Sequence, residues 1–460
     1  MNKYLKLSII VSAFTMSFFL FSCKETEQML TTVTDAQSFS KSFGSSGTEM
    51  ITSSCNASDG GIILAGYTNS VGSGDFDVLV IKIDNSGNIS WSFAYGGTGV
   101  DQANSIFPTT DGGYILTGNT TSGGADGNEM FTLKIDGSGN RQWSKFYRWD
   151  NDQFGTSVVE THDGYLLVGY SDLFVPGFND IIVLHVNSSG QYVNVKHLGS
   201  DLNDFAYKII PTQDLGFLIA GSTYGFGAPN GDALLLKLYG DYVPNWAYIY
   251  GGDGYDQLND VIQNTSGNFL VCGLTQSFGL THGDGFIFKT NSDGSISVSE
   301  FAPKTLGLSM NGFDQFLGIR QADNGSYFLT GFTSEGSGML EMMIVHYYAD
   351  GVFDFARTFG GASNEKGNTV LKKSDGSFIV SGFNESFSSG MQDAFSVKVK
   401  SDFSGCATQT NIGTPQGSVQ TLTPLKVTPI SYPANTNETV DLPMNQTPAL
   451  MNTNTQCTQQ

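Results

Sequence analysis

Apolar positions along this chain fall in short runs, each cut off by a polar break rich in Gly, Asp, Asn and Ser. Between Asp101 and Tyr147, Ser105-Ile106-Phe107 is one run. The break Asp111-Gly112-Gly113 reads as a hairpin turn, because Gly takes positive φ without steric penalty. Tyr114 to Thr120 is a second run, Ser122 to Gly127 a loop, and Met130 to Ile135 a third run. Asp136 to Asn140 is another turn and Gln142 to Tyr147 a fourth run. The runs have strand length and no 3.6-residue period, so the pattern predicts a four-stranded antiparallel meander.

The meander recurs. Gly118, in its second strand, has counterparts at Gly66, Gly169, Gly221, Gly273, Gly331 and Gly382, spaced by 52, 51, 52, 52, 58 and 51 residues. A period of about 50 residues marks a repeat architecture. The third strands Val78-Leu79-Val80-Ile81 and Ala233-Leu234-Leu235-Leu236 are apolar at successive positions. Such strands are buried on both faces, so each small sheet needs a sheet stacked on either side. Radial stacking about an axis supplies that. The predicted fold is all-β, a seven-bladed β-propeller of four-stranded antiparallel blades. A membrane barrel needs longer, alternating strands of about 9–11 residues, a parallel β-helix has shorter coils, and a helical solenoid needs a helical period.

Trp91, Trp143 and Trp246 share one position in the fourth strand, nine residues after Lys82, Lys134 and Lys237. The seventh unit reaches a third strand at Asp393 to Val399 and then runs into Ser404-Gly405-Cys406 without a fourth. At the other end of the domain, Phe39-Ser40-Lys41-Ser42-Phe43-Gly44 aligns with Trp91-Ser92-Phe93-Ala94-Tyr95-Gly96. Phe39 to Phe43 is therefore expected to complete the last blade and close the ring, which would otherwise leave an unpaired sheet edge.

Composition agrees. Gly numbers 57 of 460 residues, aromatics reach 12% and charged residues only 14%, which suits many short strands joined by Gly turns. The formal charge of −21, from 43 acids against 22 bases, argues against nucleic acid, which needs a basic face.

Residues 1–22 form a targeting segment, with Lys3 and Lys6 ahead of an apolar run from Leu7 to Phe21 that is short for a membrane span. It ends in Leu20-Phe21-Ser22-Cys23, which resembles the bacterial lipoprotein cleavage box; the resemblance implies that Cys23 becomes the lipidated first residue. Lys24, Glu25 and Glu27 then resemble the start of surface-exposed lipoproteins of Bacteroidota, implying an outer-membrane protein held by its lipid anchor and facing the cell exterior. Residues 23–35 are read as a linker, 36–405 as the propeller and 406–460 as a Thr-, Pro- and Asn-rich C-terminal segment. That segment is either extended over the propeller or a loose tail. Cys406 and Cys457 bracket it, and a disulfide between them suits an oxidising compartment, while Cys55 and Cys272 read as buried free thiols.

Over 36–405 the chain resembles the bacterial seven-bladed β-propeller repeat family of secreted and cell-surface proteins. The resemblance rests on the Asp-Gly-Gly-Tyr turn, the run from Gly74 to Lys82 and the Trp-Ser-x-x-Tyr-Gly-Gly run from Trp91. It implies a fold more than a function, because propellers host binding proteins and enzymes alike.

Two carboxylate sets recur in the units. Glu49, Asp101, Asp152, Asp204, Asp256, Asp314 and Glu365 lie thirteen residues before the first residue of the second strand. Asp77, Glu129, Asp180, Asp232, Asp284, Glu341 and Asp393 lie five before a third-strand base. Both sets are expected on one face, the first nearer the axis. They read as an acidic ring for Ca²⁺ or a cationic partner, or as acids that bond their own turns and a neighbouring blade's Lys. His185 and His346 stand at Lys positions and read as strand residues, with no metal site assigned.

The loops between second and third strands differ among units. Later ones carry Phe174, Phe178, Tyr224, Phe226, Phe278 and Phe387, and the fifth-to-sixth connection is longer, through Pro303 to Met310. Aromatics beside acids suit a protein or glycan partner, unless they fold back over the blade edges. The sequence lacks a Gly-x-Ser-x-Gly elbow, a His-Glu-x-x-His helix and a P-loop, so no catalytic residue is assigned. The expected function is non-catalytic partner binding at the cell surface, as a subunit of an outer-membrane complex, with a glycan-active enzyme using the face carboxylates as the alternative.

Overall fold

The computed structural model describes residues 38–124, 127–149, 151–172, 178–226, 230–279, 282–296, 301–307, 312–334 and 338–400, with 409–411, 422, 424–428, 430–432, 438–441, 444–449 and 451–459 of the C-terminal segment. Seven antiparallel sheets form seven blades. Blade 2 is typical, with strands Asp101–Pro108, Tyr114–Thr120, Glu129–Ile135 and Arg141–Arg148 in the predicted order. The second and third strands of the blades are almost wholly buried, as runs apolar on both faces require. Hydrophobic clusters fill the spaces between neighbouring blades. Among the described residues, no helix is long and apolar enough to cross a membrane.

Each inner strand carries one bulge at the same place, between Ala103 and Ser105 in blade 2 and at the equivalent residues of the other six. The bulge brings the inner backbone close to the repeat's reference glycine. A Cβ on Gly118 would meet the Gln102 carbonyl oxygen at 1.9 Å, and the six counterparts would meet a carbonyl at 1.8 or 1.9 Å. This contact explains a glycine in every unit.

The extra residue at the bulge fastens one blade to the next. Thr52 Oγ1 donates to the Ala103 carbonyl (2.7 Å), Asn104 Nδ2 to Gly155 (2.8 Å), Thr156 Oγ1 to Ala206 (2.8 Å) and Asn259 Nδ2 to Phe316 (2.7 Å). Asn368 Nδ2 donates to the Ile51 carbonyl (2.7 Å), carrying the same bond from blade 7 to blade 1. A second fastener is a backbone bond at the start of every inner strand. It runs from Asp101 N to Phe76 O (2.7 Å), from Asp204 N to Asn179 O (2.7 Å) and, across the seam, from Glu49 N to Gln392 O (2.8 Å).

The ring closes as expected. Ser38–Gly44 pairs antiparallel with Asp393–Val399, Phe39 opposite Lys398 and Phe43 opposite Ala394, and both phenylalanines are fully buried. Trp91, Trp143 and Trp246 face Lys82, Lys134 and Lys237 across the outer pair of strands. The fifth-to-sixth connection departs from expectation. Lys304–Leu306 within it is the outer strand of blade 5, pairing with Gly285 to Ile287.

The described stretches of the C-terminal segment are short strands added to the outer edges of six blades. Gln409–Asn411 adds a fifth strand to blade 6, Leu425–Val427 to blade 4, Ile430–Tyr432 to blade 3, Glu438–Asp441 to blade 2, Asn445–Pro448 to blade 1 and Asn452–Gln459 to blade 7. Leu422, Met444 and Ala449 are buried in the clusters beneath. The expected Cys406–Cys457 bridge and the anchor at Cys23 lie outside the described residues, whereas Cys55 and Cys272 are buried free thiols.

Candidate functional site

The first acid set is buried at the start of the inner strands, where its members latch the preceding turns. Glu49 accepts from Ser45 N (3.0 Å) and Thr68 Oγ1 (2.8 Å). Asp101 accepts from Gly97 N (2.8 Å), Ser122 Oγ (2.7 Å) and Thr120 Oγ1. Asp204 accepts from Ser200 N (2.6 Å) and Ser200 Oγ (2.8 Å), and Asp256 from Gly252 N (3.2 Å) and Ser277 Oγ. Glu365 accepts from Gly361 N (3.0 Å) and Ser386 N (3.1 Å), and Asp314 is buried at the equivalent place.

Asp152 is the exception. The turn of blade 3 is one residue shorter than its counterparts, as Gly155 pairs with Gly169 while Ala103 pairs with Gly118. Constant counting from the second strand therefore lands one residue early. The buried place belongs to Gln153, whereas Asp152 is half-buried and accepts from Asn128 N (2.6 Å).

Acids of the second set meet those of the first across blade junctions. Asp180 Oδ1 and Asp204 Oδ2 lie 2.4 and 2.7 Å from the point where a Cβ on Gly199 would stand, and Asp232 Oδ1 and Asp256 Oδ2 lie 2.2 and 2.5 Å from that point on Gly251. Only glycine leaves room for such a pair. Burial, and then the neighbouring Asp204, push the Asp180 carboxyl up to about 7; burial and then Asp256 push Asp232 up to about 6. Asp77 and Asp393 are raised as well, by burial first, although Ser73 N (2.9 Å) and Ser389 N (2.8 Å) donate to them. Four residues before Asp180 the sequence has Pro176, which has no N–H to give. Neither Asp180 oxygen has a hydrogen-bond partner among the described residues.

The junction from blade 2 to blade 3 is built differently. Arg148 replaces the glycine and its Nε donates to Glu129 (3.1 Å), while Gln153 replaces the facing acid. One charge of each sign thus stands where other junctions hold two carboxylates. Glu341, Asp284 and Asp393 begin their third strands in the same way. Among the described residues, no group of three or more His, Cys, Asp or Glu is placed to hold a metal ion.

Four of the third-strand lysines and His185 bond the hairpin turn of their own blade, and Lys398 also reaches the Asn85 carbonyl (3.2 Å) in the outer turn of neighbouring blade 1. Lys82 pairs with Asp59 (2.6 Å), Lys134 with Asp111 (2.9 Å), Lys237 with Asp214 (3.0 Å), Lys398 with Asp375 (3.0 Å) and His185 with Asp163 (3.1 Å). Burial opposes ionisation of Asp111, but bonds from Thr109, Lys134 and Gly113 outweigh it and bring the carboxyl down to about 2. His346 pairs instead with Asp354 (2.8 Å), the second residue of the fourth strand Phe353–Phe359.

The described loop aromatics are half-buried and spread over blades 3, 4, 5 and 7, Tyr224 of blade 4 reaching across to blade 5. Tyr224 packs on Tyr255 (5.8 Å between centroids), Phe278 on Phe286 (6.0 Å) and Phe387 on Phe395 (6.5 Å). Phe226 takes a positive φ of 57°, a conformation that non-glycine residues rarely adopt, and leans on the core between blades 3 and 4. Phe178 is half-buried, and Phe174 lies outside the described residues.

Sequence reasoning passed over the axial channel. Its wider cavity, about 540 Å³, is lined by the later halves of the inner strands, and a polar cavity of about 90 Å³ adjoins it. Lys208 and Arg320 line both. Asp260 lines the smaller one, where it accepts from Arg320 Nη1 (2.8 Å), Ile319 N (3.0 Å) and Val261 N (3.0 Å). The signal was present as a break in the repeat: at the place of Lys208 and Asp260 the other blades carry Ser53, Ser105, Ser157, Gly318 and Thr369.

No protein-family model and no curated protein matches the sequence. Among solved structures, the chain is similar to Sqt1 from Chaetomium thermophilum, at 11% identity and a TM-score of 0.40 over 73% of this chain and 80% of that one. It is also similar to a glucose dehydrogenase, at 11% identity and a TM-score of 0.37 over 78% of this chain and 98% of that one. Similarity at that level carries no argument about function.

Proposed function

We propose that this chain is a non-catalytic, surface-exposed lipoprotein of the outer membrane whose propeller binds a protein or glycan partner, as a subunit of an outer-membrane complex. The observation that carries the reading is where the blades depart from their common plan. The loops between second and third strands hold aromatics in blades 3, 4, 5 and 7, whereas blades 1 and 2 have Ser70-Val71-Gly72 and Ser122-Gly123-Gly124 there. Repeat proteins vary their loops on the binding side while the shared positions serve the fold. The lipoprotein-like segment ending at Cys23 supports the placement.

A glycan-active enzyme is the second reading, favoured by the raised Asp180 and Asp232 carboxyls beside ionisable neighbours. Against it, Asp180, Asp204 and Asp256 are fully buried, out of reach of a sugar. The test is a glycan array and native outer-membrane cross-linking, run with the anchored protein, with Tyr224→Ala/Phe278→Ala and with Cys23→Ser. The expected result is a defined partner, lost on removing the two aromatics, and loss of acyl labelling in Cys23→Ser. Polysaccharide cleavage abolished by Asp180→Asn would establish the enzyme instead.

A further inference from the structure

The two mouths of the axial channel differ. At one, the inner strands begin and the latched acids lie. At the other, the inner strands end in Asn56, Pro108 and Pro211, and the wider cavity is lined by these later residues. The chain carries a formal charge of −21, yet the ionised groups lining the two cavities are Lys208, Arg320 and Asp260, a net charge of one positive unit.

Of these three, Asp260 is fully engaged by two backbone N–H groups and Arg320. Among the described residues Arg320 uses only Nη1 for its bonds, to Asp260 (2.8 Å) and the Ile319 carbonyl (2.5 Å), which leaves the rest of its guanidinium fork open to them. Lys208 makes no hydrogen bond or ion pair with any described residue, although it lines both cavities. An ammonium in that setting has lost much of its hydration and gained no partner. Burial lowers its pKa, and the attraction of Asp260 offsets this only in part.

Both cations interrupt the repeat. Lys208 stands where blades 1 to 3 have serine. Arg320 stands where the others have Cys55, Phe107, Val159, Ile210, Ile262 and Leu371, an otherwise apolar ring of which all but Val159 line the wider cavity. A fold that needs only an apolar ring has no use for these cations, and repeats place function where they differ. The volume is that of a small-molecule pocket, apolar at its wall with a few polar groups convergent at depth.

We infer that the axial channel binds a small organic carboxylate, its anionic end held between the Lys208 ammonium and the free face of the Arg320 guanidinium and its apolar body against the ring of Phe107, Ile210 and Ile262. Ser53 and Ser105, which line both cavities, supply hydroxyl donors beside the anion. The site opens at the mouth opposite the aromatic loops and stands independently of the partner proposed for them.

The test uses the full chain and titrates sodium 4-phenylbutyrate by calorimetry, with 4-phenylbutyramide and 4-phenylbutylamine as neutral and cationic controls. The carboxylate should bind, the amide should bind at least about tenfold more weakly, and the amine should not bind. Lys208→Met should weaken carboxylate binding at least about tenfold without lowering the melting temperature, since the ammonium has no bond to lose. Arg320→Lys, which keeps a cation for Asp260 but not the fork, should weaken it less. Equal affinity for acid and amide, unchanged binding in Lys208→Met, or no binding of the carboxylate would each overturn the proposal.

Discussion

At the scale of single residues, buried carboxylates set the pH response. Asp180 and Asp232 titrate near 7 and 6 in the folded chain, above the usual carboxylate value, because burial and a facing Asp disfavour their ionised forms. The native state therefore holds protons that the unfolded chain has released, so these groups take stability away as pH rises from about 4 to about 7. The melting temperature should rise on acidification from about pH 8 to about pH 5. Asp180→Asn, which removes the charge and offers Asp204 an amide donor, should raise the melting temperature at about pH 8 and flatten the profile. A profile that falls steadily with acid in this window would contradict the pairing. Asp111 works in the opposite sense, since its depressed carboxyl supplies stability that is lost only as pH falls below about 4 towards 2.

At the scale of elements, the closing strand joins two ends of the chain. Phe43 is fully buried against blades 7 and 1, and Phe43→Ala should cost about 3–5 kcal/mol, as for large-to-small changes in a packed core. Measured by denaturant midpoint, a loss below about 1 kcal/mol would show that the strand is not part of the core. This element was legible because a missing fourth strand at 399 and a spare one at 39 can be matched from residue patterns alone. So were the glycine of each second strand and the tryptophans opposite the lysines, since they repeat at fixed offsets. Asp152 was misplaced because equal spacing hides a one-residue deletion in a turn, which only the pairing of Gly155 with Gly169 reveals. Lys208, Asp260 and Arg320 went unread because attention to the loops leaves strand positions uncompared, and the bulge shifts their register by one residue. The fifth strands of the C-terminal segment left no trace in its pattern of polar residues. They attach by backbone bonds to outer strands, and such bonds ask little of side chains.

At the scale of the whole molecule, the fasteners between blades are uniform. The backbone bond from Glu49 to Gln392 at the seam has the length of its six counterparts within a few tenths of an ångström, and the Asn368 amide repeats the bond made by Asn104 and Asn259. Native-state hydrogen exchange should therefore protect the Glu49 amide as well as those of Asp101 and Asp204. Faster exchange at Glu49 alone would mean that the ring breathes at its seam.

That uniformity has a consequence for how the molecule comes apart. An open stack of repeats loses its terminal units first, because each has a neighbour on one side only. Here the unit that begins the chain and the unit that ends it flank each other, so no unit is outermost and there is nowhere for fraying to start. Bringing Phe43 to Ala394 across some 350 intervening residues costs about 5 kcal/mol of chain entropy, and that cost is recovered all at once when the last sheet is lost. Such a molecule has no cheap partly open form, and it should hold all seven sheets or none.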